Sequence, residues 1–185
     1  MQPVIFALDE RLANPGDTLP WAGHLDETGY TLGQDFTLPE GIDFDIALTN
    51  AGEGILASGI LRAHVKGTCD RCLEDAEFDV SAEVDEYYLF EEPEHVEGED
   101  DDVEFSLVSE DHTIDLSDAF LSALVMETPF VVLCREDCKG LCPVCGANLN
   151  EGPCACSAQP DDGLPRMSDG RVSPFAALKD LDLGE

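Results

Sequence analysis

The sequence predicts an α+β fold with an antiparallel sheet, one main helix and a cysteine-rich C-terminal knuckle. It does not decide whether the sheet closes into a barrel. Three observations predict this fold. Two adjoining segments alternate between apolar and polar residues, the second of them without a break. A later segment has apolar residues at helical spacing, and six of the eight cysteines lie in residues 134–156. We expect one α+β domain over residues 1–156, followed by a linker and a short C-terminal helix over 157–185.

The N-terminal third carries weaker signals. Residues 8–12 predict a helical turn that ends at Asn14-Pro15-Gly16, and Trp21 is expected to anchor the core or its edge. Residues 43–48 alternate between acidic or small side chains and large apolar ones. That period of two predicts a half-buried strand.

The two clearest strands are predicted over residues 55–65 and 76–85. Each has one apolar and one polar face, which is typical of an antiparallel sheet with one side in water. A two-residue loop at Asp70-Arg71 would set a register that places apolar residues opposite each other and opposite charges across from each other. The predicted pairs are Val65–Ala76, Ala63–Phe78, Leu61–Val80, Lys66–Asp75, His64–Glu77 and Arg62–Asp79, with Cys69 opposite Cys72.

Residues 91–104 contain nine acids in fourteen positions, which predicts a loop. A helix is expected next, capped by Asp115 and ended by Pro129. Its apolar stripe comprises Leu116, Ala119, Phe120, Ala123 and Leu124. Residues 130–133 predict a short buried strand, and Ser173-Pro174 predicts the start of the C-terminal helix.

Charge is the most unusual property of the chain. Forty-one acids against nine Lys and Arg give a formal net charge of -32, and residues 72–134 hold 21 acids and no Lys or Arg. Nucleic-acid binding depends mainly on Lys and Arg displacing counterions, so direct contact with nucleic acid is not expected. The charge favours a basic protein partner. The alternative is that the acidity only keeps the protein soluble or reflects a salt-rich habitat.

The N-terminus lacks the basic segment of a signal peptide, and no stretch approaches the roughly 20 apolar residues of a membrane span. We therefore expect a cytoplasmic protein without membrane contact. Thiols stay reduced in that compartment, so its cysteines are expected to bind metal rather than to form disulfides.

The segment Cys142-Pro143-Val144-Cys145-Gly146 has the form of a zinc knuckle, in which two thiolates grip one ion from a tight turn. A tetrahedral site needs two further ligands. We expect Cys138 and Cys156 to complete it, with Cys134 and Cys154 as the nearest substitutes. Arg71, Arg135 and Lys139 lie beside cysteines, where they would offset thiolate charge.

We expect this zinc to be structural and the protein not to be an enzyme. A catalytic zinc keeps an open ligand position with a base nearby, whereas none of the four histidines lies near the cluster in sequence. For Cys69-Asp70-Arg71-Cys72, three roles stay open: a second ligand pair for a metal, a structural pair at the mouth of the hairpin, or a redox pair.

These residues resemble the YceD family, also called the large ribosomal RNA subunit accumulation proteins. The resemblance rests on Cys69-x-x-Cys72-Leu73 after a strand, Asp115-Leu116 at a helix start, and residues 138–150 with their trailing Cys-x-Cys. It also includes the terminal Pro174-Phe175-Ala176-Ala177-Leu178 block, and it extends in motif order over residues 1–183.

The resemblance implies a bacterial or plastid factor that large-subunit ribosomal RNA needs in order to accumulate. No catalytic residues are defined for the family, so none is carried over. The basic partner would then be a ribosomal protein or another assembly factor. The alternatives are a zinc-stabilised nucleic-acid-binding module and a thiol oxidoreductase, and the oligomeric state is left open.

Overall fold

The computed structural model describes residues 1–92 and 106–158. Most of the predicted acidic loop and the predicted helix from Ser173 lie outside these residues. The chain forms two compact units: residues 1–68 with 75–132, and residues 69–74 with the chain from Leu133 onward. The prediction of one domain over residues 1–156 stays a prediction, because compactness does not measure whether two units unfold together.

The first unit holds the strands and the main helix. Its described elements are a 3-10 helix, Glu10–Leu12, which confirms the predicted helical turn, and the strands β1 Ile5–Ala7, β2 Thr18–Leu25, β3 Gly29–Leu32, β4 Gln34–Thr37, β5 Ile42–Asn50, β6 Gly54–Thr68, β7 Asp75–Leu89, β8 Ser106–Leu107 and β9 Thr113–Asp115, with the helix α1 Ser117–Glu127.

Seven strands form one sheet around the long strand β6. In it the order runs β2-β5-β6-β4-β3, with β7 on β6 and β8 beyond β7. The pairings are antiparallel except for β7 with β8, and β1 pairs with β9 in a separate two-stranded sheet. The mostly antiparallel sheet with one helix confirms the predicted α+β class. The described sheet is open, so closure into a barrel is not confirmed.

The alternating residues of β5, β6 and β7 divide between the core and the outer face as predicted. Ile42, Ile46, Leu48, Leu61 and Val65 are fully buried or nearly so. The polar residues between them on β5 and β7 are exposed. This burial of one face explains why the alternation in the sequence located the strands correctly.

The hairpin of β6 and β7 forms, but the predicted register is wrong. Its last pair is Thr68 with Asp75, so the loop holds six residues rather than two and every partner lies two residues further along. The observed pairs include Lys66–Glu77, His64–Asp79 and Val65–Phe78, and Cys69 does not face Cys72 across the ladder. A displacement of two residues keeps each side chain on its predicted face, because the period of a strand is two.

Helix α1 begins two residues after the end of β9 and packs on β7. Asp115 accepts a hydrogen bond at Oδ1 from the backbone N–H of Ser117 at 2.9 Å, and from that of Val4 at 3.0 Å. The predicted contact of Asp115 with the helix start is therefore present, although Leu116 is the capping residue. Phe120, Ala123 and Leu124 are buried as expected, and Thr128 ends the helix before Pro129.

The predicted strand over residues 130–133 is wrong. Phe130 is fully exposed and Val131 is half exposed, whereas Val132 is buried. Within the described chain these residues join no ladder. Four apolar residues form a strand only where a neighbouring strand can take up their backbone hydrogen bonds.

Across the residues that the structure describes, no helix combines the length and the hydropathy that crossing a membrane would take.

Candidate metal centres

The second unit brings all eight cysteines into two groups of four. The first cluster comprises Cys69, Cys72, Cys134 and Cys138, and the knuckle cluster comprises Cys142, Cys145, Cys154 and Cys156. Within each cluster the four Sγ atoms lie within 4.8 Å of one another. Either cluster could hold a metal ion.

The spacing of the sulfur atoms fits a tetrahedral thiolate site. Zinc binds sulfur at about 2.3 Å, so two sulfurs on the edge of a zinc tetrahedron lie about 3.8 Å apart. In the first cluster, Cys69 Sγ lies 3.8 Å from Cys138 Sγ and Cys72 Sγ lies 3.6 Å from Cys134 Sγ. A disulfide would need about 2.05 Å. The donor set and its spacing therefore match zinc.

The four ligands expected from the sequence are divided between the two clusters. Cys142, Cys145 and Cys156 lie together, and the fourth sulfur beside them is that of Cys154. Cys138 lies instead with Cys69, Cys72 and Cys134, in the first cluster. Cys154 and Cys134 are the two residues that the sequence offered as substitutes.

The loop Cys69–Glu74 shapes half of the first cluster. The backbone N–H of Cys69 donates to the carbonyl of Glu74 at 2.8 Å, and that of Leu73 donates to the carbonyl of Cys69 at 2.9 Å. Leu73 has a φ of 63°, in the left-handed region that large side chains rarely adopt. This tight turn brings both thiols of the Cys-x-x-Cys pair to one side, where they can share a ligand.

Arg71 fixes the segment that carries Cys138. Its guanidinium Nη1 donates to the carbonyl of Cys138 at 3.0 Å, and its own carbonyl accepts from the backbone N–H of Leu141 at 3.0 Å. Gly140 lies between these contacts with a φ of 72°. The two bonds hold Cys138 against the loop Cys69–Glu74, which explains why its thiol points to the first cluster and not to the knuckle.

The knuckle itself is a narrow hairpin. Cys142 donates its backbone N–H to Ala147 at 2.8 Å, and Gly146 donates to the carbonyl of Cys142 at 2.9 Å. Gly146 has a φ of 72°, which glycine adopts without steric cost. The N–H of Val144 points to Cys142 Sγ at 3.5 Å. This is the arrangement expected of the Cys-Pro-x-Cys-Gly motif, in which backbone N–H groups face sulfur.

Asn150 connects the two parts of the second unit. Its Nδ2 donates to Cys138 Sγ at 3.3 Å, and its Oδ1 accepts from the backbone N–H of Lys139 at 2.8 Å. Such donors to a ligand sulfur stabilise its negative charge and set its orientation. No sequence pattern marks Asn150 as functional, since only its place between Cys145 and Cys154 links it to the cysteines.

The basic residues expected beside the thiols take other roles as well. Arg71 binds a carbonyl, as described above, and the Nε of Arg135 pairs with Asp137 at 3.4 Å. Amide N–H groups that reach sulfur, such as those of Val144 and Asn150, stabilise thiolate charge directly.

Without metal the thiols of each cluster differ in acidity. Burial raises the pKa of Cys69, but the backbone N–H groups of Cys134, Cys72 and Arg71 outweigh it and lower that pKa to about 6. Backbone N–H groups, those of Cys145 first, lower the pKa of Cys142 to about 6. The hydrogen bond from Asn150 lowers the pKa of Cys138 as well. Each cluster thus has at least one thiol with a lowered pKa, which favours the loss of the proton that metal binding requires.

In each cluster at least one other thiol has a raised pKa. Burial, followed by the neighbouring thiols, raises the pKa of Cys134 to about 12. A hydrogen bond with Cys145 and burial raise that of Cys156 to about 12. Four sulfurs this close cannot all ionise together unless a cation offsets their charge. A divalent metal would supply that charge.

The chemistry open to these clusters is limited by their composition. Four thiolates fill every position of a tetrahedral ion and leave none for substrate or water. Cys69 has the lowered pKa of a redox nucleophile, yet its side chain is fully buried. A thiol that exchanges disulfides must be reached by its substrate. The clusters therefore favour structural metal binding.

Comparison with known proteins agrees with the motifs. A family model described as "Large ribosomal RNA subunit accumulation protein YceD" matches residues 57–182. That range includes all eight cysteines. No solved structure gives a significant match.

Among curated proteins, the relatives are mycobacterial. An uncharacterized protein of Mycobacterium tuberculosis and one of Mycobacterium bovis are each 34% identical over 112 residues, covering 60% of this chain and 53% of theirs. One of Mycobacterium leprae is 30% identical over 108 residues, covering 58% of this chain and 49% of its own. The chain thus matches about half the length of these relatives. Because the family model covers more than half of the chain, the protein belongs to the YceD family.

Proposed function

We propose that this protein is a non-enzymatic, cytoplasmic factor that supports the accumulation of large-subunit ribosomal RNA by binding a basic protein, either a ribosomal protein or another assembly factor. The description of the family names the process, the accumulation of large-subunit ribosomal RNA. The net charge of -32 supplies the kind of partner, because it would attract a basic surface and repel the phosphates of RNA.

One observation of the fold supports a particular surface for this partner. On the outer face of the sheet, two cations of β6 have acidic partners on β7, Lys66 with Glu77 and His64 with Asp79. The third, Arg62, lies opposite Ser81 of β7 and Asp43 of β5. Further along the same strands the pattern changes. Glu83 lies opposite Ile60, and Asp85 lies opposite Ser58, so neither has a cation as its cross-strand neighbour.

Asp45 extends this group, since it lies opposite Ile60 from the other side. Asp45, Glu83 and Asp85 are all exposed, and we name these three residues the acidic patch. The charge of these three residues has no cation directly opposite it in the ladder, unlike that of Glu77 and Asp79. It is therefore available to the Lys and Arg side chains of a partner.

In this proposal the knuckle cluster binds zinc and has a structural role. Closed four-thiolate sites provide folding free energy rather than chemistry. The histidines of the sheet have structural partners too: His24 bonds Asp43 at 2.7 Å and His64 bonds Asp79 at 2.8 Å. Nothing in this arrangement of His64 and His24 aligns a base with a metal-bound water.

The test is affinity capture of the full-length protein from its own host, with nuclease treatment and at low and high salt. We expect a basic protein of the large subunit or of its assembly to remain after nuclease treatment and to dissociate at high salt. The double change Glu83→Gln with Asp85→Asn should reduce its capture several-fold. Large-subunit ribosomal RNA, measured against small-subunit RNA, should fall in cells that carry this variant alone.

The matched control is Glu110→Gln with Asp111→Asn, which removes the same charge from the exposed turn between β8 and β9. It should leave both capture and the RNA ratio unchanged. Binding of purified protein to RNA in the absence of any basic protein, with a steep dependence on salt, would contradict the proposal and favour a nucleic-acid-binding module.

A further inference from the structure

We propose that the first cluster is a second zinc site, separate from the knuckle, and that it releases its ion more slowly than the knuckle cluster does. Cys69, Cys72, Cys134 and Cys138 would be its ligands. The protein would then bind two zinc ions, whatever partner the acidic patch engages.

The donor set carries the first part of the proposal. Four thiols from two separate segments of the chain converge within 4.8 Å, with two sulfur pairs at 3.6 and 3.8 Å. Those distances match the edge of a zinc tetrahedron, about 3.8 Å, and are far longer than the roughly 2.05 Å of a disulfide. Soft thiolate ligands in this number select zinc over Mg²⁺ or Ca²⁺.

The packing around the cysteines supports the same assignment. Asn150 Nδ2 donates to Cys138 Sγ, and Arg71 ties the segment of Cys138 to the loop Cys69–Glu74. Outer contacts of this kind hold ligands in the orientation that a metal needs. Both contacts are made to Cys138, a member of the first cluster, although the sequence motif most typical of zinc lies in the knuckle.

Burial carries the second part of the proposal. In the first cluster Cys69, Cys72 and Cys138 are buried and Cys134 is partly exposed. In the knuckle cluster only Cys142 is buried, whereas Cys145 is exposed. A chelator or incoming thiol must reach the ion in order to remove it, so the exposed cluster should exchange faster.

The span of the chain gives a further reason for slow release. Cys72 and Cys134 are 62 positions apart in the chain, whereas the knuckle ligands all fall within residues 142–156. Release from the first cluster requires the loop Cys69–Glu74 to part from the segment that carries Cys134 and Cys138, but release from the knuckle requires only a local hairpin to open.

The experiment measures zinc in the purified full-length protein, kept reduced, by elemental analysis and native mass spectrometry. Release is then followed with the chromogenic chelator 4-(2-pyridylazo)resorcinol. We expect two zinc ions per chain and two release phases that differ several-fold in rate. Cys72→Ser and Cys145→Ser are matched variants, since each removes the second cysteine of a Cys-x-x-Cys pair. Cys72→Ser should lose the slow phase and one zinc, and Cys145→Ser the fast phase and one zinc.

Three results would overturn the proposal: a single zinc that Cys72→Ser retains, a slow phase that disappears with Cys145→Ser, or a native mass two hydrogens lower per cysteine pair, which indicates disulfides in the first cluster. If Cys72→Ser fails to fold, titration of the metal-free wild type with Co²⁺ decides the number of sites. Thiolate-to-cobalt absorption should rise through two equivalents, and a plateau at one equivalent would refute the second site.

Discussion

Asn150 donates its side-chain N–H to the sulfur of Cys138 over 3.3 Å. Cys138 is a member of the first cluster, whereas Asn150 lies between Cys145 and Cys154 of the knuckle cluster in the sequence. Its position is fixed from within that stretch, since the backbone N–H of Asn150 donates to Asn148 Oδ1 at 3.0 Å. The folding of the knuckle hairpin therefore places a hydrogen-bond donor on a ligand of the first cluster.

Loss of this donor should weaken metal binding at the first cluster. In a Cys145→Ser background, where only the first cluster is complete, Asn150→Ala should lower zinc affinity by about 10- to 100-fold, the usual effect of removing an outer-shell partner. Asn150→Asp is the control for the acceptor role, because it keeps Oδ1 for Lys139 and removes the donor. Competition with a chelator of known affinity measures the zinc affinity of both variants. An unchanged affinity in both would show that the contact is incidental.

Gly140 and Gly146 offer a matched test of the contact between Arg71 and the Cys138 segment. Both have a φ of 72°, so alanine at either should cost about 1–2 kcal/mol from backbone strain alone. A Cβ on Gly140 would also lie 2.9 Å from the carbonyl oxygen of Arg71, whereas one on Gly146 would meet nothing within 4 Å. We expect Gly140→Ala to destabilise the protein more than Gly146→Ala by about 1–3 kcal/mol.

Chemical denaturation of the zinc-bound protein measures this difference. Equal losses of unfolding free energy in the two variants would mean that the Arg71 carbonyl moves aside without cost.

Tyr30 should stabilise the first unit through one buried hydrogen bond. Its hydroxyl lies 2.6 Å from Thr128 Oγ1, which donates to the carbonyl of Leu124 at 2.7 Å and so accepts from Tyr30. Tyr30→Phe should lower the unfolding free energy by about 1 kcal/mol. Tyr87→Phe is the control, because Tyr87 is an exposed residue of β7, and its loss should be near zero. Similar losses in both variants would argue against the buried bond.

His64 should titrate above its ordinary pKa. The hydrogen bond to Asp79 is the main cause that raises its pKa, with further attraction from Asp79, Glu77 and Glu40. Because the folded pKa exceeds the unfolded value of about 6.5, the stabilisation is complete below that pH and is lost as pH rises through the folded pKa. Asp79→Asn should lower the pKa of His64.

The measurement is an NMR titration of the imidazole proton signals. Asp85→Asn changes the net charge equally but lies opposite Ser58, so it should leave the pKa of His64 nearly unchanged. An equal shift in both variants would mean that the overall negative charge, and not Asp79, raises the pKa.

The strand pattern could be predicted from the sequence, but the register could not. Alternation located β6 and β7 and assigned Val65 and Phe78 to one face and Lys66 and Glu77 to the other. Charge matching alone does not exclude a register shifted by two residues, since acids occupy most of the alternate positions of β7 from Asp75 to Asp85. The Cys-x-x-Cys turn selected the observed register, because residues 69–74 leave the ladder to bring their thiols together.

The sequence by itself determined the chemistry of this protein: its cysteine content, its acidic charge, its family and the alternation that builds the sheet. These depend on composition and on short-range periodicity, which are readable along the chain. Only the tertiary structure decided the grouping of the cysteines. Cys138 is four positions from Cys142 in sequence, yet Arg71 and Gly140 turn it toward Cys69, which is 69 positions away. Ligand sets depend on where distant turns meet, and spacing along the chain does not contain that information.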